Sequence, residues 1–152
     1  GLPDGSVLAI MGTGRLKDKL KDLAMRLGVA NQVLFLGQVK HGRRYFKAFD
    51  VFALTSDHEP FGMVLLEAMA AGVPLLSTDC GGAKEIVEGI GPLFPLGDAD
   101  TLATVMLEMS HLTEADVQLL RQRMLQRLNE HYVDDAIRPL FFQILRESGR
   151  VS

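Results

Sequence analysis

At 152 residues, with 47% hydrophobic and 23% charged side chains, the chain has the length of one domain and the composition of a folded one, which excludes disorder as its main state. Sixteen Lys and Arg against 19 Asp and Glu give a net charge of −3, which argues against a general nucleic-acid backbone binder. The single cysteine, Cys80, forms no internal disulfide and belongs to no zinc-type cluster, so no oxidising compartment is required and the cytoplasm is the expected one.

The first apolar run, Ser6 to Met11, reads as a buried strand stopped by Gly12-Thr13-Gly14. Arg15 to Leu27 then sets Leu16, Leu20, Leu23 and Leu27 on one face of a helix. Val33 to Leu36 is a second strand, followed by a short helix through Tyr45, Phe46 and Phe49. Val51 to Thr55 is a third strand, and the loop Ser56-Asp57-His58-Glu59-Pro60 leads into a helix from about Gly62 to Ala71. Pro74 to Thr78 is a fourth strand, Ala83 to Glu88 a short helix, and Pro92 to Pro95 a weak fifth strand. Helices follow at about 98–110, 113–131 and 134–147, the second opened by Thr113-Glu114-Ala115-Asp116. Apolar strands separated by helices predict a parallel sheet covered on both faces, whose ligands sit beyond the carboxyl ends of the strands. No apolar run reaches the ~18 residues of a spanning helix; the richest, Met63 to Leu76, is interrupted by Glu67, Gly72 and Pro74.

The loop after the third strand carries the most chemical information. Apart from Glu67, every residue from Met63 to Ala71 is apolar. Such a helix is normally buried, and a carboxylate in it is expensive unless it is paired or binds something. The bland alternative is a Glu67 that caps a buried backbone group or pairs with a basic side chain. Gly62 permits close backbone approach, and the free N–H groups of the first helical turn suit a phosphate. Glu67 lies five residues further on, roughly 7–8 Å along the axis at 1.5 Å per residue. A carboxylate at that separation suits the vicinal hydroxyls of a ribose whose diphosphate sits at the helix start.

E-P-F-G-M-V-L-L-E-A-M-A-A-G-V-P, from Glu59 to Pro74, closely resembles the E-x7-E segment of retaining glycosyltransferases of the group 1 type (family 4), which have the GT-B fold. The resemblance extends to V-L-A-I-M-G-T-G at 7–14, V-L-F-L-G-Q-V at 33–39, D-V-F-A-L-T-S at 50–56, S-T-D-C-G-G-A-K-E-I-V at 77–87 and G-D-A-D-T-L at 97–102. It implies an α/β fold: a Rossmann-like parallel sheet with helices on both faces, the C-terminal half of GT-B, ending in helices. Residues 1–152 would form a single donor-binding domain without its first strand, helix and Gly-Arg…Lys segment. The acceptor-binding N-terminal domain would be a missing partner. In the parent fold the absent strand lies between those at 6–11 and 51–55, so either these two pair directly or another copy of the chain fills the place.

The resemblance also implies roles. Glu59, the catalytic candidate, would contact hydroxyls of the transferred sugar, and Glu67 would hydrogen-bond the ribose. The backbone at Phe61, Gly62, Met63 and Val64 would hold the sugar and diphosphate, and the main chain from Gly37 to Val39 would touch the base. No metal and no cofactor is needed, because the helix N-terminus and basic residues stabilise the departing diphosphate of the nucleotide-sugar donor. The expected reaction moves a hexose-type sugar to a saccharide or lipid-linked acceptor with retention, in cell-surface polysaccharide or lipopolysaccharide synthesis.

The remaining candidates have two readings each. Gly81-Gly82 suits close approach of a sugar or phosphate near the donor, or is a plain turn; Gly82 is taken as a substrate contact. His58 is a donor contact or a surface-loop histidine, and Arg15 and Lys17 align with a different loop from the missing Arg/Lys pair. Lys40, Arg43, Arg44 and Lys47 offer weak association with acidic lipid at the inner membrane face or with nucleic acid, against a solvated helix face, which is the favoured reading. A sugar-nucleotide epimerase of the same fold and a noncatalytic nucleotide-binding module are the competing functions.

Overall fold

The computed structural model describes residues 3–132; the helix expected over 134–147 lies outside them. Each apolar run yields a strand within or close to its predicted bounds: β1 (Leu8–Met11), β2 (Val33–Gly37), β3 (Phe52–Leu54), β4 (Leu75–Thr78) and β5 (Leu93–Phe94). Between and after them lie α1 (Lys17–Arg26), α2 (Met63–Ala71), α3 (Gly81–Val87), α4 (Ala99–Ser110) and α5 (Glu114–His131). The short helix expected near Tyr45 is a 3-10 segment, Gly42–Ala48, whose buried side chain is Phe46.

All strand pairs are parallel, but their hydrogen bonds form two sheets, β1–β2 and β3–β4–β5. The single sheet suggested by the alternation is therefore divided, and β1 and β3 are each an edge of their own sheet. The chain correspondingly separates into two compact units, Gly1–Gly42 and Arg43–Ser152.

In the first unit Leu8, Ala9 and Ile10 stand opposite Val33, Leu34 and Phe35, and the register slips at Met11, which pairs with Gly37. The leucine face predicted for α1 is present but is not a buried face: Leu16, Leu20, Leu23 and Leu27 are 39–66% exposed, and only Ala24 is buried. The element α1 packs on is the short 3-10 turn Ala30–Gln32, which is too small to cover an apolar helix face. Leu34 and Leu36 on β2 are also exposed.

The second unit has a true interior. All four residues of β4 are buried, and the strand sends Leu75 and Leu76 to opposite faces. On one side Leu75 joins Leu65, Met69, Ile86, Val87, Met124 and Leu128, side chains of α2, α3 and α5. On the other, Leu76 and Phe94 meet Met109 of α4. Helices on both faces of a parallel sheet are the expected α/β layering. The Thr113–Asp116 signal forms a capping box at the start of α5. Its hydrogen bonds from Thr113 hold the Asp116 carboxyl below its ordinary pKa, as those from Thr101 do for Asp98 at the start of α4.

Gly91 lies against the Leu75 carbonyl so closely that a Cβ there would overlap the oxygen. Because that neighbour is backbone in a central strand, it cannot swing aside. Gly91→Ala is expected to lose about 1–3 kcal/mol of stability or more, read as a lowered denaturation midpoint at unchanged slope.

Candidate functional site

The floor of the site is α2, and its sequence explains its position. Apart from Glu67 its side chains are all apolar, and Leu65, Leu66, Ala68, Met69, Ala70 and Ala71 are buried, while Met63 at its start stays exposed. It is enclosed by β4, α3 and α5. Gly62 opens it at φ 62°, ψ 25°, a left-handed conformation that side chains resist. The carbonyl of Gly62 accepts the first helical bond, from the Leu65 N–H at 2.9 Å. At the other end the Arg121 Nε of α5 donates to the Gly72 carbonyl at 3.0 Å.

Glu67 is the one ionisable residue of α2 and is half-buried. Burial pushes its carboxyl above the ordinary value of 4.5, and the positive charge of Arg43 opposes that shift. The bland reading of Glu67, pairing with a basic side chain, thus has a positive charge to draw on in Arg43, although burial is the larger influence on the carboxyl. Sequence reasoning placed Arg43 only in a basic cluster. Its relation to Glu67 spans 24 positions, and no local pattern signals such a pairing.

At the start of α2 the Glu59 carboxylate turns back on its own loop. Its Oε1 accepts from the Gly62 N–H at 3.0 Å and from the Phe61 N–H at 3.4 Å. These are two of the backbone donors assigned by resemblance to the sugar and diphosphate, so the carboxylate and a donor would use the same N–H groups. Phe61 is 78% exposed and Met63 39%, whereas Val64 is partly buried against the core. His58 is exposed beside Glu59.

The loop after β4 closes on the same segment. The Gly82 N–H donates to the Glu59 carbonyl at 2.8 Å, and the Thr78 hydroxyl and Cys80 thiol both reach the Ser56 carbonyl. The second unit therefore brings together Glu59, Phe61, Gly62, Met63, Val64 and Gly82, with Glu67 further along α2. Gly37 and Val39 lie in the first unit at the end of β2, where the Gly37 carbonyl accepts from the Gly12 N–H at 2.7 Å.

Among the described residues no group of three or more His, Cys, Asp or Glu could hold a metal ion. Nor is any helix there long and apolar enough to cross a membrane. Arg43, Arg44 and Lys47 each have interactions of their own, so the basic cluster is not a set of free cations.

Comparison with known proteins follows the same residues. The chain is 34% identical over 147 residues to the lipopolysaccharide core biosynthesis glycosyltransferase LpsE of Rhizobium meliloti, covering 93% of this chain and 42% of that protein. Its fold matches the sucrose-phosphate synthase of Thermosynechococcus elongatus with a TM-score of 0.75 and 26% identity, over 95% of this chain and 39% of the other. It also matches Anabaena HepE in complex with UDP-glucose, with a TM-score of 0.64 and 28% identity, over 84% of this chain and 42% of the other. The chain thus spans about two-fifths of the length of these three proteins, and its architecture is that of the C-terminal half of GT-B glycosyltransferases. The family model for group 1 glycosyl transferases matches residues 4–124, and the chain belongs to that family.

Proposed function

We propose that this chain is the donor-binding part of a glycosyltransferase that moves a hexose-type sugar from a nucleotide diphosphate sugar to a saccharide or lipid-linked acceptor. The observation that carries the reading is α2: a largely buried helix with a left-handed glycine at its start and one half-buried carboxylate a turn and a half along. Burying a carboxylate is costly, and binding ribose hydroxyls gives that cost a purpose. Membership in the group 1 family and the UDP-glucose complex of HepE support the donor class.

In this reading Glu67 accepts hydrogen bonds from the ribose hydroxyls. The N–H groups of Phe61, Gly62, Met63 and Val64 face the sugar and diphosphate, where the helix start favours negative charge. Glu59 shares the Phe61 and Gly62 N–H groups with the donor through Oε1 and offers its other carboxylate oxygen to the sugar hydroxyls. His58 flanks the sugar. The departing diphosphate is stabilised without a metal, and transfer proceeds with retention by front-face attack. The acceptor site belongs to a separate N-terminal domain, and the product to cell-surface polysaccharide or lipopolysaccharide, as the role named for LpsE suggests. The reaction takes place in the cytoplasm or at the inner face of the membrane.

Calorimetric titration of the chain with UDP, GDP and ADP tests this reading. One of the three is expected to bind, and Glu67→Ala to abolish that binding; no binding by any of them removes the donor-site assignment. The 152-residue chain is expected to show no sugar transfer by itself, checked by product formation from UDP-glucose with added saccharide acceptors.

A further inference from the structure

Glycines that merely relieve a turn leave open space where a side chain would be. Gly12 and Gly14 are of that kind, with nothing within 4 Å of a Cβ built on them. Gly81 and Gly82 are not. A Cβ on Gly81 would sit 2.6 Å from the Glu59 carbonyl oxygen, and one on Gly82 would sit 2.7 Å from that of Pro60. Both obstacles are backbone, which cannot rotate away as a side chain does. The Gly82 N–H then bonds the Glu59 carbonyl at 2.8 Å. One turn further along α3, the Ile86 side chain fills the space where a Cβ of Gly62 would be. Gly81, Gly82 and Ile86 of α3 thus meet Glu59, Pro60 and Gly62 in succession, while Thr78 and Cys80 hold the Ser56 carbonyl at the other end of the loop.

We propose that Gly81 and Gly82 are positioning residues for the donor sugar: they let the start of α3 press backbone to backbone on Glu59 and Pro60, and so fix the Glu59 carboxylate against the Phe61 and Gly62 N–H groups. The inference rests on the donor-site reading for its ligand, but the brace itself is a property of the loop. It assigns Gly82 a part played through Glu59 rather than through contact with the donor. The sugar end of the site is governed by this brace, whereas the ribose end is governed by Glu67 within α2, so the two ends are separable by mutation.

Gly82→Ala is the discriminating variant, because Gly82, unlike Gly81 at φ 47°, has no left-handed backbone to confound the result. Affinities for UDP, GDP and ADP, and for UDP-glucose, GDP-mannose and ADP-glucose, are measured by calorimetry on the wild-type chain and the variant. Affinity for the sugar nucleotide is expected to fall roughly tenfold, about the effect of losing one charge-assisted hydrogen bond, with the parent nucleotide changed less than about twofold. In a Glu59→Gln background the same substitution is expected to cause no further loss of the sugar increment. Equal losses for nucleotide and sugar nucleotide, or no loss for either, overturn the proposal.

A ligand-free readout separates its failure from that of the donor-site reading. The amide resonances of Phe61 and Gly62 are expected to move when Glu59→Gln is introduced into the wild-type chain, and to move less than half as far when it is introduced into Gly82→Ala. An equal displacement in the two backgrounds overturns the brace whatever binds; wild-type chain that binds no nucleotide overturns the donor reading and leaves the brace to this comparison. If Gly82→Ala does not fold, Ile86→Ala removes bulk under Gly62 instead of adding it. It is expected to lower the sugar-nucleotide preference roughly threefold, and an unchanged preference then counts against the proposal.

Discussion

Glu67→Gln is expected to raise the stability of the folded protein at neutral pH while weakening its hold on nucleotide. Burial raises the Glu67 carboxyl above 4.5, more strongly than Arg43 lowers it, so the folded chain holds this proton more tightly than the unfolded one. The stabilisation from that proton is complete below about pH 4.5 and is lost as pH rises through the folded-state pKa. At pH 7 the ionised carboxylate is therefore a net burden on the folded state. Glutamine removes the burden and keeps the shape. The variant should melt at a higher temperature than wild type at pH 7, and the gap should close as pH approaches 4.

The same substitution replaces a charged acceptor by a neutral one, half of whose polar end is a donor. Losing a charged hydrogen bond to the ribose hydroxyls is worth about 1.5–3 kcal/mol, roughly a 10- to 150-fold loss of nucleotide affinity. Thermal melts at pH 4 and pH 7 with matched calorimetry read both effects. A variant less stable than wild type at pH 7 would mean that attraction to Arg43, not burial, governs this carboxylate.

Gly62→Ala is expected to damage both the fold and the site, for two reasons that can be taken apart. The first is backbone: at φ 62° a non-glycine residue is strained, by about 1 kcal/mol. The second is packing, because the new Cβ would meet Cδ1 of Ile86, and overpacking of this kind costs about 1–3 kcal/mol. Together they approach half the stability of a marginal domain. Ile86→Val deletes the obstructing methyl group. The double variant should recover the packing part and retain the backbone part, so denaturation midpoints of the four proteins should show coupling of at least about 0.5 kcal/mol. Strict additivity would place the whole cost in the backbone.

Much of this was legible in the sequence, and the exceptions share a cause. The strands and helices followed from apolar runs, periodicity and punctuation at Gly12, Gly72 and Thr113, because local chemistry decides where such elements start and stop. The burial of α2 followed from its lack of a polar face. By contrast, the exposure of Leu16, Leu20, Leu23 and Leu27 was not legible: periodicity reports that a face is apolar, not how much surface lies beneath it. The division into two sheets falls between β1 and β3, where the resemblance left a gap, and of the two expectations for that gap direct pairing of these strands is not realised. Glu59 was visible by pattern, but the return of its carboxylate to the Phe61 and Gly62 N–H groups was not. Gly81-Gly82 left two readings open, and only the carbonyls of Glu59 and Pro60 show what the missing side chains make room for.

The enclosure of α2 also has a consequence for how the protein opens. From Leu65 to Ala71 every residue but Glu67 is buried, so fraying this stretch would expose apolar surface on several sides at once. Amide exchange along Leu65–Ala71 should therefore occur only through unfolding of the whole second unit. The 56–62 loop, with Asp57, His58, Pro60 and Phe61 exposed, can open at a much smaller cost. A bound donor would thus slow exchange mainly in that loop, and the helix beneath would already be as protected as the unit allows.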